Sequence, residues 1–274
     1  MTVLNKKYFE EELAESYDLT PEAITFYNEF GYVKLKDVLS ADVLSYYGEL
    51  ITDLVFKLNK LTKPMEERTT YERAFLQIMN LWCENEEARE FVFSKRLAKI
   101  ATDLMQVQGV RLYHDQALYK ESSGGITPWH ADQFYWPLSS VKTVTVWIPL
   151  QKTSMEMGPL AFAEKSHTVE IGRDLEISDE SEALMTAQLK QFNVNETPFD
   201  LGEVSFHAGW LFHRAGANVS GSPRKVMTMI YMDQDQQITK PRNSYQQADW
   251  ETWLSSKTVG SNADGALNPL LFSY

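Results

Sequence analysis

Trp129-His130-Ala131-Asp132-Gln133-Phe134-Tyr135-Trp136 is the stretch on which the reading of this chain turns. Side chains two apart on a strand share a face, so a strand over 129–134 turns His130 and Asp132 to one side. A carboxylate buried among aromatic neighbours is costly unless a cation compensates it, and a metal held by His130 and Asp132 supplies that charge. A third ligand must come from a strand far away in sequence. His213 fits, at the end of the apolar run Trp210-Leu211-Phe212. Two imidazoles and a carboxylate on one face of a metal leave the other face open, which suits non-haem Fe(II) that also binds a co-substrate and O₂. A lone strand histidine is more often a core or surface group than a ligand, so the combination carries the assignment.

Arg224 follows His213 across a stretch rich in turn formers, from Ala215 to Pro223, which predicts an antiparallel pair of strands ending at His213 and beginning at Arg224. An arginine inside that fold needs an anion, and its planar fork suits a carboxylate in two-point contact. The far carboxylate of 2-oxoglutarate meets the need, since its other end can chelate the iron. The competing reading is a surface arginine after a proline.

Working outward, residues from Val110 onward form short β-prone runs, predicting strands near 110–120, 129–134, 142–150, 159–163, 203–207, 211–214 and 223–232. Turn chemistry separates them at Ser122-Ser123-Gly124-Gly125, Met157-Gly158-Pro159 and 218–223. Many short strands without intervening helical patterns predict a jelly roll or barrel, a mainly β core in an α+β chain. The front end reads as helix. Thr20-Pro21 starts a helix that Gly31 stops, Tyr32-Val33-Lys34-Leu35 is a short strand, and Ser40 caps a second helix running to Leu58. Weaker patterns predict helix over 72–83 and 86–106. The acidic segment 169–197 reads as a solvated excursion with a short helix, or alternatively as a lid. Trp250, Trp253, Leu267, Leu270 and Phe272 give the tail apolar surface to pack back on the body. The expectation is one domain over 1–274, helix-rich to 109, with its β core at about 110–232 and its tail at 233–274.

Composition is consistent with this. With 43% hydrophobic and 12% aromatic residues, 274 residues suffice for a substantial core. The net charge of −12 argues against phosphate backbones and anionic lipid as partners. The single cysteine, Cys83, cannot form an internal disulfide, and neither a signal peptide nor a membrane span is recognisable, so a cytoplasmic protein is expected. A Walker loop, a paired-cysteine zinc motif and a Gly-x-Ser-x-Gly elbow are all missing.

Trp129-His130-Ala131-Asp132-Gln133, the run from Gly158 to His167, and Gly202-Glu203-Val204-Ser205-Phe206-His207 leading to His213 and Arg224 together resemble the phytanoyl-CoA dioxygenase family of Fe(II)/2-oxoglutarate oxygenases. The resemblance covers roughly 110–232. It implies a double-stranded β-helix, a cupin-like jelly roll buttressed by N-terminal helices, with iron on His130, Asp132 and His213 and 2-oxoglutarate on Arg224. It also implies Trp147 as a wall of the co-substrate pocket, although an ordinary core aromatic is the equal alternative. His114 and Gln116 share a face of the 110–120 strand, where they contact 2-oxoglutarate or a substrate, or are simply buried. His207 is a candidate supporting group near the metal, and His167 a structural one. Phe134, Tyr135, Trp136 and Trp210 are candidates for an apolar substrate pocket or for core packing. The chain departs from the family pattern at Ala215, where a hydroxyl is common, and at Glu164-Lys165, where the family has Pro-Gly. Halogenating relatives carry a small residue where this chain has Asp132, so oxygenation is expected, with hydroxylation of a small-molecule substrate the default. The alternative is a non-catalytic jelly-roll protein holding a structural metal.

Overall fold

The computed structural model describes residues 3–174 and 177–274. Its front end is helical. After α1 (Val3–Ala14), the Thr20 hydroxyl caps α2 (Pro21–Phe30) by accepting from the Ala23 N–H, and Gly31, at φ +84, ends it. Strand β1 (Tyr32–Leu35) follows at once. Ser40 then caps α3 (Ala41–Leu58), whose apolar stripe Val43, Tyr47, Ile51, Leu54 and Val55 is buried.

The next stretch corrects two expectations. In place of one helix over 72–83 stand α4 (Thr70–Ala74), strand β2 (Leu76–Met79) and α5 (Leu81–Glu84). Pairing of β2 with the neighbouring long strand overrides a helical pattern too short to sustain itself. The helix expected over 86–106 is split into α6 (Glu86–Val92) and α7 (Lys95–Met105) because Ser94 leaves the helix to cap the Leu97 N–H.

The remaining elements are β3 (Gly109–Lys120), β4 (Thr127–His130), β5 (Thr143–Pro149), β6 (Leu160–Ala163), α8 (Asp179–Gln188), β7 (Val194–Glu196), β8 (Val204–Ala208), β9 (His213–Ala215), β10 (Arg224–Asp233), α9 (Ser244–Thr252) and β11 (Leu270–Ser273). Among the described residues the strands form a seven-stranded sheet, β1-β8-β5-β10-β3-β11 with β2 also on β3, and a four-stranded sheet, β4-β9-β6-β7. All pairs are antiparallel. The sheets face each other, with Phe162 of β6 stacked on Tyr32 of β1 at 4.4 Å between ring centroids. This is the expected jelly roll.

Alternation along the large sheet divides its faces. Val144, Val146 and Ile148 of β5, with Met227, Met229 and Tyr231 of β10, pack on Leu97, Ile100 and Leu104 of α7 and on the other N-terminal helices. Thr145, Trp147, Thr228 and Arg224 therefore point between the sheets, towards one cavity. The helices cover one face so that the other can carry chemistry.

His213 and Arg224 do not lie on paired strands, contrary to the hairpin expected. β9 is hydrogen-bonded on both sides within the small sheet, by β4 and β6, which leaves it no free edge for β10. The 216–223 connection instead crosses to the large sheet. Buried Asn218 pins it there, donating its amide to the carbonyls of Lys120, Glu121 and Ser222 at 3.1, 3.1 and 2.8 Å.

Segment 169–197 is more than a solvated loop. Glu182 on α8 accepts from the Trp129 N–H at 2.7 Å, β7 extends the small sheet, and Ile177 lines the cavity. In the tail, β11 pairs with the start of β3, and Gln246 of α9 donates to the Phe134 carbonyl at 2.9 Å. No helix among the described residues is long and apolar enough to cross a membrane.

Candidate active site

β4 ends at His130, and Asp132 opens a short 3-10 turn, Asp132–Tyr135, instead of continuing the strand as expected. The turn still returns the carboxylate to the imidazole, because the Gln133 N–H is held by the Gly209 carbonyl at 2.9 Å. His213 lies directly across from His130 in the β4–β9 pair. The Nε2 atoms of His130 and His213 each lie 3.6 Å from Asp132 Oδ1, and one ligand atom from each of the three groups lies within 4.8 Å of the others.

Each imidazole is turned by its own backbone. His130 Nδ1 meets the Pro128 carbonyl at 2.8 Å and His213 Nδ1 meets the Leu211 carbonyl at 3.0 Å. A carbonyl only accepts, so both Nδ1 atoms carry the proton and both Nε2 lone pairs face inward. Burial lowers both histidines to about 4, with neighbouring imidazoles adding to the effect and Asp132 opposing it. Burial works against the charge of Asp132, but His213, His207 and His130 outweigh it and hold the carboxyl well below its usual range. At neutral pH the cluster is thus two neutral imidazoles and a carboxylate, the protonation state a divalent metal requires.

The second oxygen of Asp132 has its own partners. Thr145 donates to Oδ2 at 2.7 Å, and His207 Nε2 lies 3.3 Å from it. His207 thus acts on the carboxylate, the supporting place expected of it. Thr145 was not singled out in the sequence, although its position two before Trp147 on β5 puts it on the inward face. His167 sits elsewhere, 3.3 Å from the Asn28 carbonyl, as a structural group.

Arg224 is 1% exposed. Its guanidinium lies over the Trp147 ring at 5.4 Å and donates to the Gly158 carbonyl, while its Nε has no partner. Burial draws the group down to about 9, so it remains charged at neutral pH. Lys120 is its cross-strand neighbour, buried, with its ammonium against the carbonyls of Gly125 and Gly216. Burial and then Arg224 lower Lys120 to about 6. A buried guanidinium with an orphaned N–H and no carboxylate partner among the described residues is suited to receive an anion. The competing reading of a surface arginine is excluded.

The triad and Arg224 open on one cavity of about 510 Å³. Gln116 and His114 both line it, as does Trp147. Gln77 of β2 donates to Gln116 at 2.5 Å and accepts from the Tyr71 hydroxyl at 2.8 Å. This wall went unrecognised in the sequence because 72–83 reads as helix. Tyr135 and Trp136 line the cavity too, whereas Phe134 packs against Tyr135 and Tyr245, and Trp210 lies beneath the Arg173 guanidinium.

The donor set fits ferrous iron and the orphaned guanidinium fits the distal carboxylate of 2-oxoglutarate, on opposite sides of one buried space.

Comparison with known proteins points the same way. A family model described as phytanoyl-CoA dioxygenase (PhyH) matches residues 27–226. The 1-deoxypentalenic acid 11-beta-hydroxylase of Streptomyces exfoliatus is 26% identical over 239 residues, 77% of this chain and 81% of its own length. The non-heme alpha ketoglutarate dependent carbocyclase SnoK from nogalamycin biosynthesis superposes with a TM-score of 0.77 at 25% identity, over 92% of this chain and 96% of its own. The epimerase SnoN, solved with Fe3+, alpha ketoglutarate and nogalamycin RO, shares the fold with a TM-score of 0.77 at 22% identity, over 92% and 98% of the two chains.

Proposed function

The chain belongs to the phytanoyl-CoA dioxygenase family, and from that premise we propose that His130, Asp132 and His213 hold Fe(II) and that Arg224 holds the distal carboxylate of 2-oxoglutarate. On this reading the chain is an Fe(II)/2-oxoglutarate-dependent dioxygenase that hydroxylates an unactivated C–H bond of a small organic molecule, with succinate and CO₂ as co-products. The observation that carries it is the buried guanidinium without an anionic partner among the described residues, facing the same cavity as a metal-competent triad. A closed structural metal site has no use for such an arm, which argues against a non-catalytic jelly roll. Bound iron, with 2-oxoglutarate and O₂, supplies the oxidising power for C–H cleavage.

The protein supplies orientation. The Pro128 and Leu211 carbonyls aim the two imidazoles, while Thr145 and His207 hold Asp132 by one oxygen and leave Oδ1 for the metal. Trp147 walls the co-substrate beneath Arg224. Gln116, which shares Thr228 as cross-strand neighbour with Trp147, faces the co-substrate, and His114, two residues away, faces the substrate. Aromatic walls keep water from the reacting carbon. The chain works as one oxygenase unit, in which residues 3–109 buttress the core and the tail completes the cavity. A lone, exposed Cys83 fits a cytoplasmic setting.

Fe(II)-loaded protein is expected to bind 2-oxoglutarate anaerobically, seen as the visible charge-transfer absorption of the chelate, and to form succinate once O₂ is admitted. A protein that takes up neither metal nor keto acid overturns the reading.

Gly158 gives a subtler prediction. It adopts φ +67, and a Cβ there would collide with the Gly216 carbonyl. Gly158→Ala therefore displaces the carbonyl that accepts from Arg224, and calorimetry is expected to show 2-oxoglutarate affinity reduced by about tenfold with Fe(II) affinity unchanged.

A further inference from the structure

The cavity has a second polar end, which the triad and Arg224 do not use. Tyr245, Asp249 and Trp253 follow at four-residue intervals along α9 and its C-cap, so they form one stripe, and all three line the cavity. Asp249 Oδ2 accepts from the Tyr113 hydroxyl at 2.8 Å, and the Trp253 side chain also hydrogen-bonds the carboxylate. Burial raises Asp249 to about 7, against the effect of those two donors. No cation among the described residues pairs with it. Among the described residues Arg224 is the one guanidinium or ammonium group lining the cavity, and it sits beside Lys120 at the other end of β3. His114 closes this end from the sheet. It is 4% exposed, its ring lies 5.5 Å from that of Trp253, and its Nδ1 has no partner.

A half-buried carboxylate held by two neutral donors, with no cation beside it among the described residues, has acceptor capacity left among aromatic faces, and a ligand donor can use it. A donor on the ligand completes the hydrogen bonding of Asp249. Rings on the ligand stack on Trp253 and Tyr245, and a positive charge gains from their faces. An anion brought here meets like charge without a counter-ion.

We propose that this end of the cavity selects an apolar, ring-bearing substrate whose polar handle is a hydrogen-bond donor, an amine or a hydroxyl, bound by Asp249 between Trp253 and Tyr245, and that it turns away carboxylates and coenzyme A thioesters. The proposal rests on the oxygenase reading of the same site and names its substrate class.

Three matched fluorescent probes test it: anthracenylmethylamine, anthracenylmethanol and anthracene carboxylate, titrated into metal-free protein and into protein holding Fe(II) and 2-oxoglutarate without O₂. The amine and the alcohol are expected to bind at least about tenfold more tightly than the carboxylate. In Asp249→Asn, which keeps an acceptor for Tyr113, that preference should shrink to about threefold or less. A carboxylate that binds as well as the amine, wild-type protein that binds none of the three, or a preference that survives Asp249→Asn overturns the proposal. Should the variant not fold, the wild-type ranking decides. Loss of metal or keto-acid binding counts against the oxygenase reading, whereas a reversed ranking in protein holding Fe(II) and 2-oxoglutarate, where the keto acid already occupies Arg224, counts against the substrate class alone.

Discussion

His130→Ala and His213→Ala are each expected to lower Fe(II) affinity by more than about 100-fold, a loss that anaerobic titration of the metal-free protein will read. Partners that merely orient a ligand typically contribute 10–100-fold to metal affinity, so loss of the ligand itself exceeds about 100-fold. The geometry makes each imidazole hard to replace. Both Nε2 atoms lie 3.6 Å from Asp132 Oδ1, and both rings are held from behind by backbone carbonyls. His207 provides the contrast. It touches the other oxygen of Asp132, and His207→Ala is expected to lose only about tenfold. Thermal melting of each variant separates lost affinity from lost fold. Wild-type affinity in either of the first two variants rejects the ligand assignment.

Arg224→Ala is expected to keep Fe(II) binding and to lose 2-oxoglutarate. Removing one partner of a buried, hydrogen-bonded charge pair costs roughly 2–5 kcal/mol, which corresponds to about 30- to several-thousand-fold in affinity. The upper part of that range is expected, because Arg224 is 1% exposed and its basic neighbour Lys120, lowered to about 6, is largely uncharged at neutral pH and already donates to backbone carbonyls. Arg224→Lys recovers only part of the loss, since an ammonium cannot reproduce the planar two-point contact. Isothermal titration with 2-oxoglutarate, on protein already holding metal, reads the effect. An unchanged dissociation constant removes Arg224 from the co-substrate site.

The part of this site that was legible in the sequence depended on residue chemistry more than on exact strand geometry. His130 and Asp132 were placed together on the premise of a continuous strand, yet the strand stops at His130 and a 3-10 turn delivers Asp132. A two-residue separation survives either path. His213 and Arg224 were joined by an imagined hairpin, but they reach one cavity from opposite sheets. Turn-forming composition marks where a chain reverses, without saying whether it returns to the same sheet or crosses to the facing one. Capped helices such as α2 and α3 were readable because Thr20, Gly31 and Ser40 act locally. β2 was not, because its strand character comes from pairing with β3. Gly158 and Asp249 were missed for a related reason, as their surroundings come from residues distant in sequence.

The cavity draws its walls from separate sources. His130, His213, Arg224 and Trp147 project from the facing sheets and Asp132 from the turn after β4, whereas Tyr71 and Gln77 come from the front end, Ile177 from the excursion before α8, and Asp249 and Trp253 from the tail. An evolving lineage could therefore exchange the molecules it admits by altering appended segments, while the scaffold that governs reactivity stays untouched. Directed libraries confined to those three segments offer a route to retargeting that spares the centre of the fold.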